Sequence, residues 1–350
     1  MRSRYITSEI EARLKKEARN IRELIIEMIT NAGSGHPGGA LSAVEIVTYL
    51  YFYKMRIDPK NPKMHDRDRF ILSKGHTCPV QYAALAQRGF FDTSELLTLR
   101  EIGSILQGHP DMKKTPGVDM TTGSLGQGLS CGVGIALGGK AQKTSFKVYV
   151  VLGDGEIQSG QIWEAAAAAA HFGLGNLVVF VDNNGLQCDG FTKDIMNVEP
   201  IVRKFKAFGF RVAEIDGHSF TAIDRAVIDG ENGDYGDYGD DGENGKNCAN
   251  GRNGENGENG ENSVRGGNGK NGENGESSVR GGNGKNGEND GSSENGESVG
   301  NNLNKPLAIV AKTIKGKGVS FMENQIAWHG LAPDKEQEKA ALSEIRGGIS

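Results

Sequence analysis

No run of eighteen apolar residues, about the length a helix needs to cross a bilayer, occurs anywhere in the 350-residue chain. A membrane-spanning helix is therefore not expected. No secretory leader is expected at the start either. Met1-Arg2-Ser3-Arg4-Tyr5 runs into a charged helical segment, without the apolar core of a signal peptide. Cysteine is scarce, and Cys78, Cys131, Cys188 and Cys248 show no paired metal-ligand spacing. They read as reduced thiols, which points to a cytoplasmic protein. Neither a membrane nor a nucleic acid is expected as a partner.

The formal net charge of −5 is misleading, because one segment produces it. Between positions 230 and 304 lie 22 of the 52 glycines, with 15 acids against 6 bases. The remainder carries 34 bases and 30 acids, a mildly basic balance that favours anionic substrates. Within the segment, Ser263 to Asn274 recurs fifteen residues later as Ser278 to Asn289. A fixed period raises the question of a solenoid or a calcium-binding β-roll. Each repeat holds one valine and no other sizeable apolar side chain. It cannot bury enough surface to offset chain entropy, so a disordered insert at a surface loop is expected. Removing Glu231 to Leu303 should then leave folding and activity nearly intact.

Elsewhere the chain alternates helical and strand patterns. Ser8 with Glu11 forms a capping-box pattern ahead of a helix to about Ile29. Gly33-Ser34-Gly35-His36-Pro37-Gly38-Gly39 is too glycine-rich for regular structure. Ser42 and Glu45 repeat the capping pattern before a second helix. Phe70-Ile71-Leu72 reads as a short strand running into Ser73-Lys74-Gly75-His76, and a small-residue helix is expected from about Leu129 to Gln142. Beyond Gly190, Val198–Phe208 reads as helix, Phe210–Ile215 as strand and Phe220–Ile228 as helix. After the insert, Leu307–Ala311 reads as a buried strand, 312–333 as a loop and Asp334–Ile345 as a helix. This rhythm implies one α/β domain with a mostly parallel sheet and helices on both faces.

The chain is organised around Val148 to Gly190. An apolar run from Val148 to Leu152 breaks into Gly153-Asp154-Gly155; a helical stretch from about Gln161 to His171 follows; a second run, Leu177 to Val181, ends in Asp182-Asn183-Asn184. Polar oxygens thus stand at the C-terminal end of each strand, where ligands sit in open α/β sheets. The carboxylate of Asp154 and the amide of Asn184 are hard oxygen donors, suited to Mg²⁺ shared with phosphate oxygens. The glycines flanking Asp154 let backbone approach a phosphate. Of the seven histidines, His36, His76, His109 and His329 lie in glycine- or proline-containing loops, and at least three are expected to line one pocket. His171 reads as a helix C-terminal partner and His65 as a surface residue, while the sequence leaves His218 undecided.

Taken together, Ser34-Gly35-His36-Pro37-Gly38, Ser73-Lys74-Gly75-His76, Gly108-His109-Pro110, Thr122 to Gly128, the stretch from Gly153 to Asn184, and Trp328-His329-Gly330 resemble transketolase. The resemblance runs from Ile10 to about Glu344, the insert excepted, and is nearest to the N-terminal subunit of split transketolases. It implies a thiamine diphosphate-binding fold, built from residues 1–229 and 305–350, that works with thiamine diphosphate and Mg²⁺ (or Ca²⁺ or Mn²⁺). It implies transfer of a two-carbon ketol unit between sugar phosphates, as in the pentose phosphate pathway. By the same resemblance, Asp154, Asn184 and the Leu186 carbonyl would hold the metal. His76, Gly123, Ser124, Leu125, Gly153, Asp154, Gly155, Glu164 and Asn184 would meet the cofactor. His36, His76, His109 and His329 would act on the sugar.

One departure stands out, for Ser159 replaces the glutamate that relatives carry after Gln158. That puts in doubt a proton relay between paired sites, but not cofactor binding. Alternative readings are a split transketolase for an unusual sugar, a deoxyxylulose phosphate synthase, the α subunit of a 2-oxo acid dehydrogenase, or a non-catalytic scaffold. The His36 and Gly108-His109-Pro110 loops favour transketolase over the other thiamine enzymes. The surface that activates the aminopyrimidine ring belongs, in transketolases, to a following domain. A C-terminal partner subunit is therefore expected, in an α2β2 assembly with the cofactor at the interface.

Overall fold

The structure is a computed structural model and describes residues 4–234 and 303–347. Five strands, β1 (Arg69–Leu72), β2 (Val148–Gly153), β3 (Leu177–Asn183), β4 (Arg211–Asp216) and β5 (Leu307–Lys312), form one sheet in the order β1-β2-β3-β5-β4. All four pairings are parallel, with Val150 opposite Val179 and Val179 opposite Ala308. The inner strands β2, β3 and β5 are apolar through most of their length because both faces of a parallel sheet are covered, whereas the edge strand β4 carries the exposed Glu214 and Asp216.

Alternate side chains divide the core into two layers. Phe70, Tyr149, Val151, Phe180 and Ile309 face α1 (Ser8–Ala32), α2 (Pro37–Ser42), α3 (Val44–Tyr49) and α4 (Cys78–Arg88). Ile71, Val150, Leu152, Val179 and Val310 face α5 (Gln127–Ala141), α6 (Gly160–His171) and, beyond the short α7 (Thr192–Ile195), α8 (Ile201–Ala207). The chain reverses its direction of travel across the sheet when α9 (Phe220–Glu231) carries β4 back to β5. With right-handed crossovers, α9 must then cover the first face, and Phe220, Ile223 and Val227 are packed there. A final helix, α10 (Lys335–Gly347), packs on α1. The small residues of α5 have a packing reason, since a Cβ on Gly132 would stand 2.7 Å from the Val150 side chain.

Several local expectations are corrected. The cap of α1 is Thr7, whose hydroxyl accepts the Ile10 N–H, while Glu11 pairs with Lys15. Ser42 and Glu45 do not cap a helix, because both are buried and committed to tertiary partners. The glycine-rich stretch from Pro37 is helical, with the proline at its first position, where a missing N–H costs nothing. Pro200 delays the start of α8 to Ile201. Helix α9 runs through Glu231, past the expected insert boundary at 230. Glu231 pairs with Lys54 and Asp234 with Arg4, so a deletion testing the insert must begin after Asp234. The disorder expected of the insert lies outside the described residues, as does Cys248; the other three cysteines are free. Among the described residues no helix is long and apolar enough to cross a membrane.

Candidate active site

The C-terminal ends of β1, β2, β3 and β5 deliver their following loops to one edge of the sheet. Asp154, at the end of β2, is 3% exposed. Its Oδ1 accepts the Gly155 N–H at 2.8 Å; Oδ2 accepts the Gly185 N–H at 2.6 Å and the Thr192 hydroxyl at 3.2 Å. Burial, reinforced by the nearby Asp182 carboxylate, pushes its carboxyl up to about 6. Asn184, just past β3, accepts the Leu186 N–H at 3.1 Å. One loop, closed by the Thr192 N–H on the Gly185 carbonyl at 2.9 Å, therefore brings a carboxylate, an amide and the Leu186 carbonyl together. This donor set of hard oxygens fits a magnesium-sized cation that keeps ligands from water or phosphate. A buried carboxylate with a raised pKa is itself a sign of a site waiting for positive charge.

Two buried acids hold these loops, and sequence reading assigned neither a role. Asp182, the next-to-last residue of β3, accepts from Lys74 and Thr313, and from Ser42 at 2.5 Å. Burial works against its charge, but Lys74 and these hydrogen bonds hold the carboxyl below its ordinary range. Glu156 accepts from Ser73, from the Gly126 N–H at 2.9 Å and from the Gly153 N–H at 3.0 Å. Asp182 thus ties the loops after β1 and β5 to α2, and Glu156 ties the β1 and β2 ends to the 122–128 loop. Gly126 adopts φ +87°, a left-handed backbone that favours glycine, and a Cβ there would meet Ser159 Oγ at 2.6 Å.

Three imidazoles meet above this floor. The His36 ring lies 5.0 Å from His76 and 5.6 Å from His329, and His76 lies 5.5 Å from His329. Three of the four loop histidines are thus neighbours, ring against ring. His109 stands beside them against Gly123, where a Cβ would come within 3.0 Å of its ring. Burial is the main cause that lowers all four. His76 is brought to about 2, with Lys74 adding to the effect, and His36 and His329 to about 4, with Arg100 and Lys315 respectively adding most. At neutral pH these rings are uncharged, so each can accept a proton. His36 Nδ1 is buried without a hydrogen-bond partner, which marks a polar atom directed at something the site receives.

Sequence reading also missed Lys315. It is 1% exposed, with Nζ 2.8 Å from His329 Nδ1, 3.4 Å from the Leu186 carbonyl and 3.5 Å from that of Gln187. Burial, with Lys74 nearby, lowers its ammonium to about 8. Its only signal was a lysine among glycines after the last strand. The exposed Cys188 thiol lies 3.2 Å from His329 Nε2. Ser124, Leu125 and Glu164 are exposed, Glu164 on the outer face of α6. Gly155 is right-handed, so its glycine is explained by closeness to Gln187 and not by φ. His65 is exposed, as expected, and His171 ends α6 beside Phe172. His218, left undecided by the sequence, sits outside the cluster, on Glu45 and the Ile314 N–H.

Comparison with known proteins agrees with this geometry. The family model for the transketolase thiamine diphosphate-binding domain matches residues 14–233. The 6-deoxy-6-sulfo-D-fructose transketolase subunit SqwG of Clostridium sp. (strain MSTE9) is 37% identical over 338 residues, which cover 97% of this chain and 98% of that protein. An apulose-4-phosphate transketolase subunit from Phocaeicola vulgatus is 33% identical over 332 residues, covering 95% and 93%. In three dimensions, transketolase from Campylobacter jejuni matches with a TM-score of 0.71 and 26% identity, covering 97% of this chain and 43% of that longer one. This chain therefore belongs to the transketolase family and carries its thiamine diphosphate-binding domain.

Proposed function

We propose that the chain is the diphosphate- and metal-gripping half of a two-polypeptide transketolase working in the cytoplasm. It moves a two-carbon ketol unit from an anionic ketose to an aldose, with the cofactor shared between this chain and a C-terminal partner in an α2β2 assembly. The observation that carries the reading is the set of Asp154, Asn184 and Leu186 oxygens lying under three uncharged imidazoles. Relatives named for a sulfonated fructose and for apulose 4-phosphate favour an unusual anionic sugar over a common pentose phosphate. The mildly basic balance of the chain outside positions 230–304 agrees with an anionic substrate.

Asp154, Asn184 and the Leu186 carbonyl are read as the metal ligands, with Mg²⁺ the best match to their hardness. Lys315 places a positive charge beside the Leu186 and Gln187 carbonyls, where a diphosphate would be neutralised. Gly153 and Gly155 leave the approach free of side chains. Gly123, Ser124 and Leu125 offer the edge that meets the aminopyrimidine, and Glu164 faces the partner. Thiamine diphosphate, when bound, supplies a nucleophilic carbon and an electron sink for breaking the ketose C2–C3 bond. His76, His36 and His329 are the bases available to take the proton from the C3 hydroxyl as that bond breaks. The same rings return a proton to the aldehyde oxygen of the acceptor, and His109 steadies the sugar end against Gly123.

The site makes a pH-dependent prediction. Protonated Asp154 cannot ligate a cation, and its carboxyl titrates near 6 before metal binds. Calorimetric titration of Mg²⁺ and thiamine diphosphate into the assembled enzyme should show tight loading at pH 8. Loading should weaken by about tenfold per pH unit once the pH falls below about 6, with proton release accompanying binding there. Loading that is flat from pH 8 to pH 5, or that needs no divalent cation, would show the oxygen set to be misassigned.

A further inference from the structure

A buried glutamate and two largely buried basic side chains lie outside the site and have no part in the chemistry above. Arg22 comes from α1, Glu45 from α3, and His218 from the turn between β4 and α9. Their side chains are 11, 9 and 13% exposed. Glu45 Oε1 accepts from Arg22, and Oε2 lies 2.9 Å from His218 Nδ1. Burial opposes the Glu45 charge, but Arg22 and His218 together hold its carboxyl down to about 2. A buried ion pair of this kind is seldom worth much stability by itself, so its retention calls for another account.

Both bases reach the same short stretch after β5. His218 Nε2 accepts the Ile314 N–H at 2.8 Å. Arg22 Nε donates to the Lys317 carbonyl at 3.1 Å, and a Cβ on Gly318 would stand 2.9 Å from that nitrogen. The chain is thus pinned on both sides of Lys315. A nitrogen that accepts a backbone N–H carries no proton, so the His218 ring proton resides on Nδ1 and is donated to Glu45. The carboxylate selects the tautomer, and the tautomer holds the turn. Second-layer partners orient metal-ligating histidines in the same way.

We propose that the Glu45–His218 pair positions Lys315: by accepting the Ile314 N–H, His218 fixes the turn that directs the Lys315 ammonium to His329 and to the Leu186 and Gln187 carbonyls. The proposal rests on the reading of Lys315 as part of the cofactor grip. His218 touches neither cofactor nor substrate; it acts through Lys315.

Asparagine and glutamine divide the two contacts of a histidine. His218→Asn keeps an amide near the Nδ1 position and can still donate to Glu45, but it falls short of Ile314. His218→Gln carries its terminal oxygen to the Nε2 position and can still accept from Ile314. Thiamine diphosphate affinity is measured calorimetrically on the assembled enzyme with saturating Mg²⁺, together with the melting temperature of each variant without cofactor. His218→Gln should keep the affinity of the unsubstituted enzyme. His218→Asn should lose about tenfold or more, the usual cost of removing an outer-layer partner. In a Lys315→Met background, adding His218→Asn should cost no further affinity, since the effect passes through the lysine. Equal losses in the two His218 variants, an unchanged affinity for His218→Asn, or additive losses with Lys315→Met would overturn the proposal. Absence of cofactor binding by the unsubstituted assembled enzyme would overturn the functional reading, and this proposal with it.

Discussion

Asp154→Ala is expected to abolish Mg²⁺-dependent binding of thiamine diphosphate by the assembled enzyme while leaving the fold in place. Of the three oxygen donors at the site, only this one carries charge, and a small, strongly hydrated dication is not held by an amide and a carbonyl alone. Two effects on stability oppose each other. The buried carboxyl has been pushed from 3.8 to about 6, so its charge costs the cofactor-free fold about 3 kcal/mol at neutral pH. The sign is that of a raised acid. Its protonated form stabilises the fold below the ordinary carboxylate range, and that stabilisation is lost as the pH rises through about 6. The alanine removes this cost but leaves the Gly155 and Gly185 N–H groups without their acceptor, a loss of about 1–3 kcal/mol. The melting temperature of the cofactor-free variant should therefore stay within a few degrees, on the order of 3 °C. Calorimetry showing unchanged cofactor affinity would contradict the metal assignment.

Asp182→Ala should have the opposite profile, with a large loss of stability. The Lys74 and Asp182 side chains are 4% and 0% exposed. Removing the acid strands an ammonium in the interior and leaves the Thr313 hydroxyl without its acceptor, while the Ser42 hydroxyl keeps only the Gly39 carbonyl at 3.1 Å. Breaking a buried pair from one side costs about 3–5 kcal/mol, which lowers the melting temperature by roughly 10 °C in a domain of this size. Lys74→Met combined with Asp182→Leu should lose much less than the sum of the two single changes, because no uncompensated charge remains. Single variants melting within a degree of the unsubstituted chain would show that this ion pair does not hold the site loops together.

What could be read in the sequence follows from which forces are local. The strands β2, β3 and β5 stand out because a doubly covered parallel strand must be apolar at every position. Asp154 and Asn184 were legible because they follow such runs directly. The loop histidines were legible because glycine and proline mark the loops that carry them. The grip on those loops was not legible. Ser42 and Glu45 resemble a cap at the correct spacing, yet each is drawn inward by a partner far along the chain, Asp182 for one, Arg22 and His218 for the other. Lys315 and Glu156 show nothing in their neighbours to suggest burial, since their partners arrive only with the fold. Helix α4 was passed over because nine of its eleven residues are buried, leaving no polar face and hence no helical periodicity to detect.

Ketol transfer by this chain, alone and with its C-terminal partner, tests the account most directly. Leu125, Phe191, Met196 and Leu331, in the loops that carry the site residues, expose 44, 48, 60 and 51% of their surface. An apolar rim of this kind is expected to be covered by another protein surface. With Mg²⁺, thiamine diphosphate, an anionic ketose donor and an aldose acceptor, the pure chain should release no product and bind the cofactor only weakly. Addition of the partner subunit should restore both binding and two-carbon transfer, saturating at one partner per chain. Full turnover by the pure single chain would contradict the account.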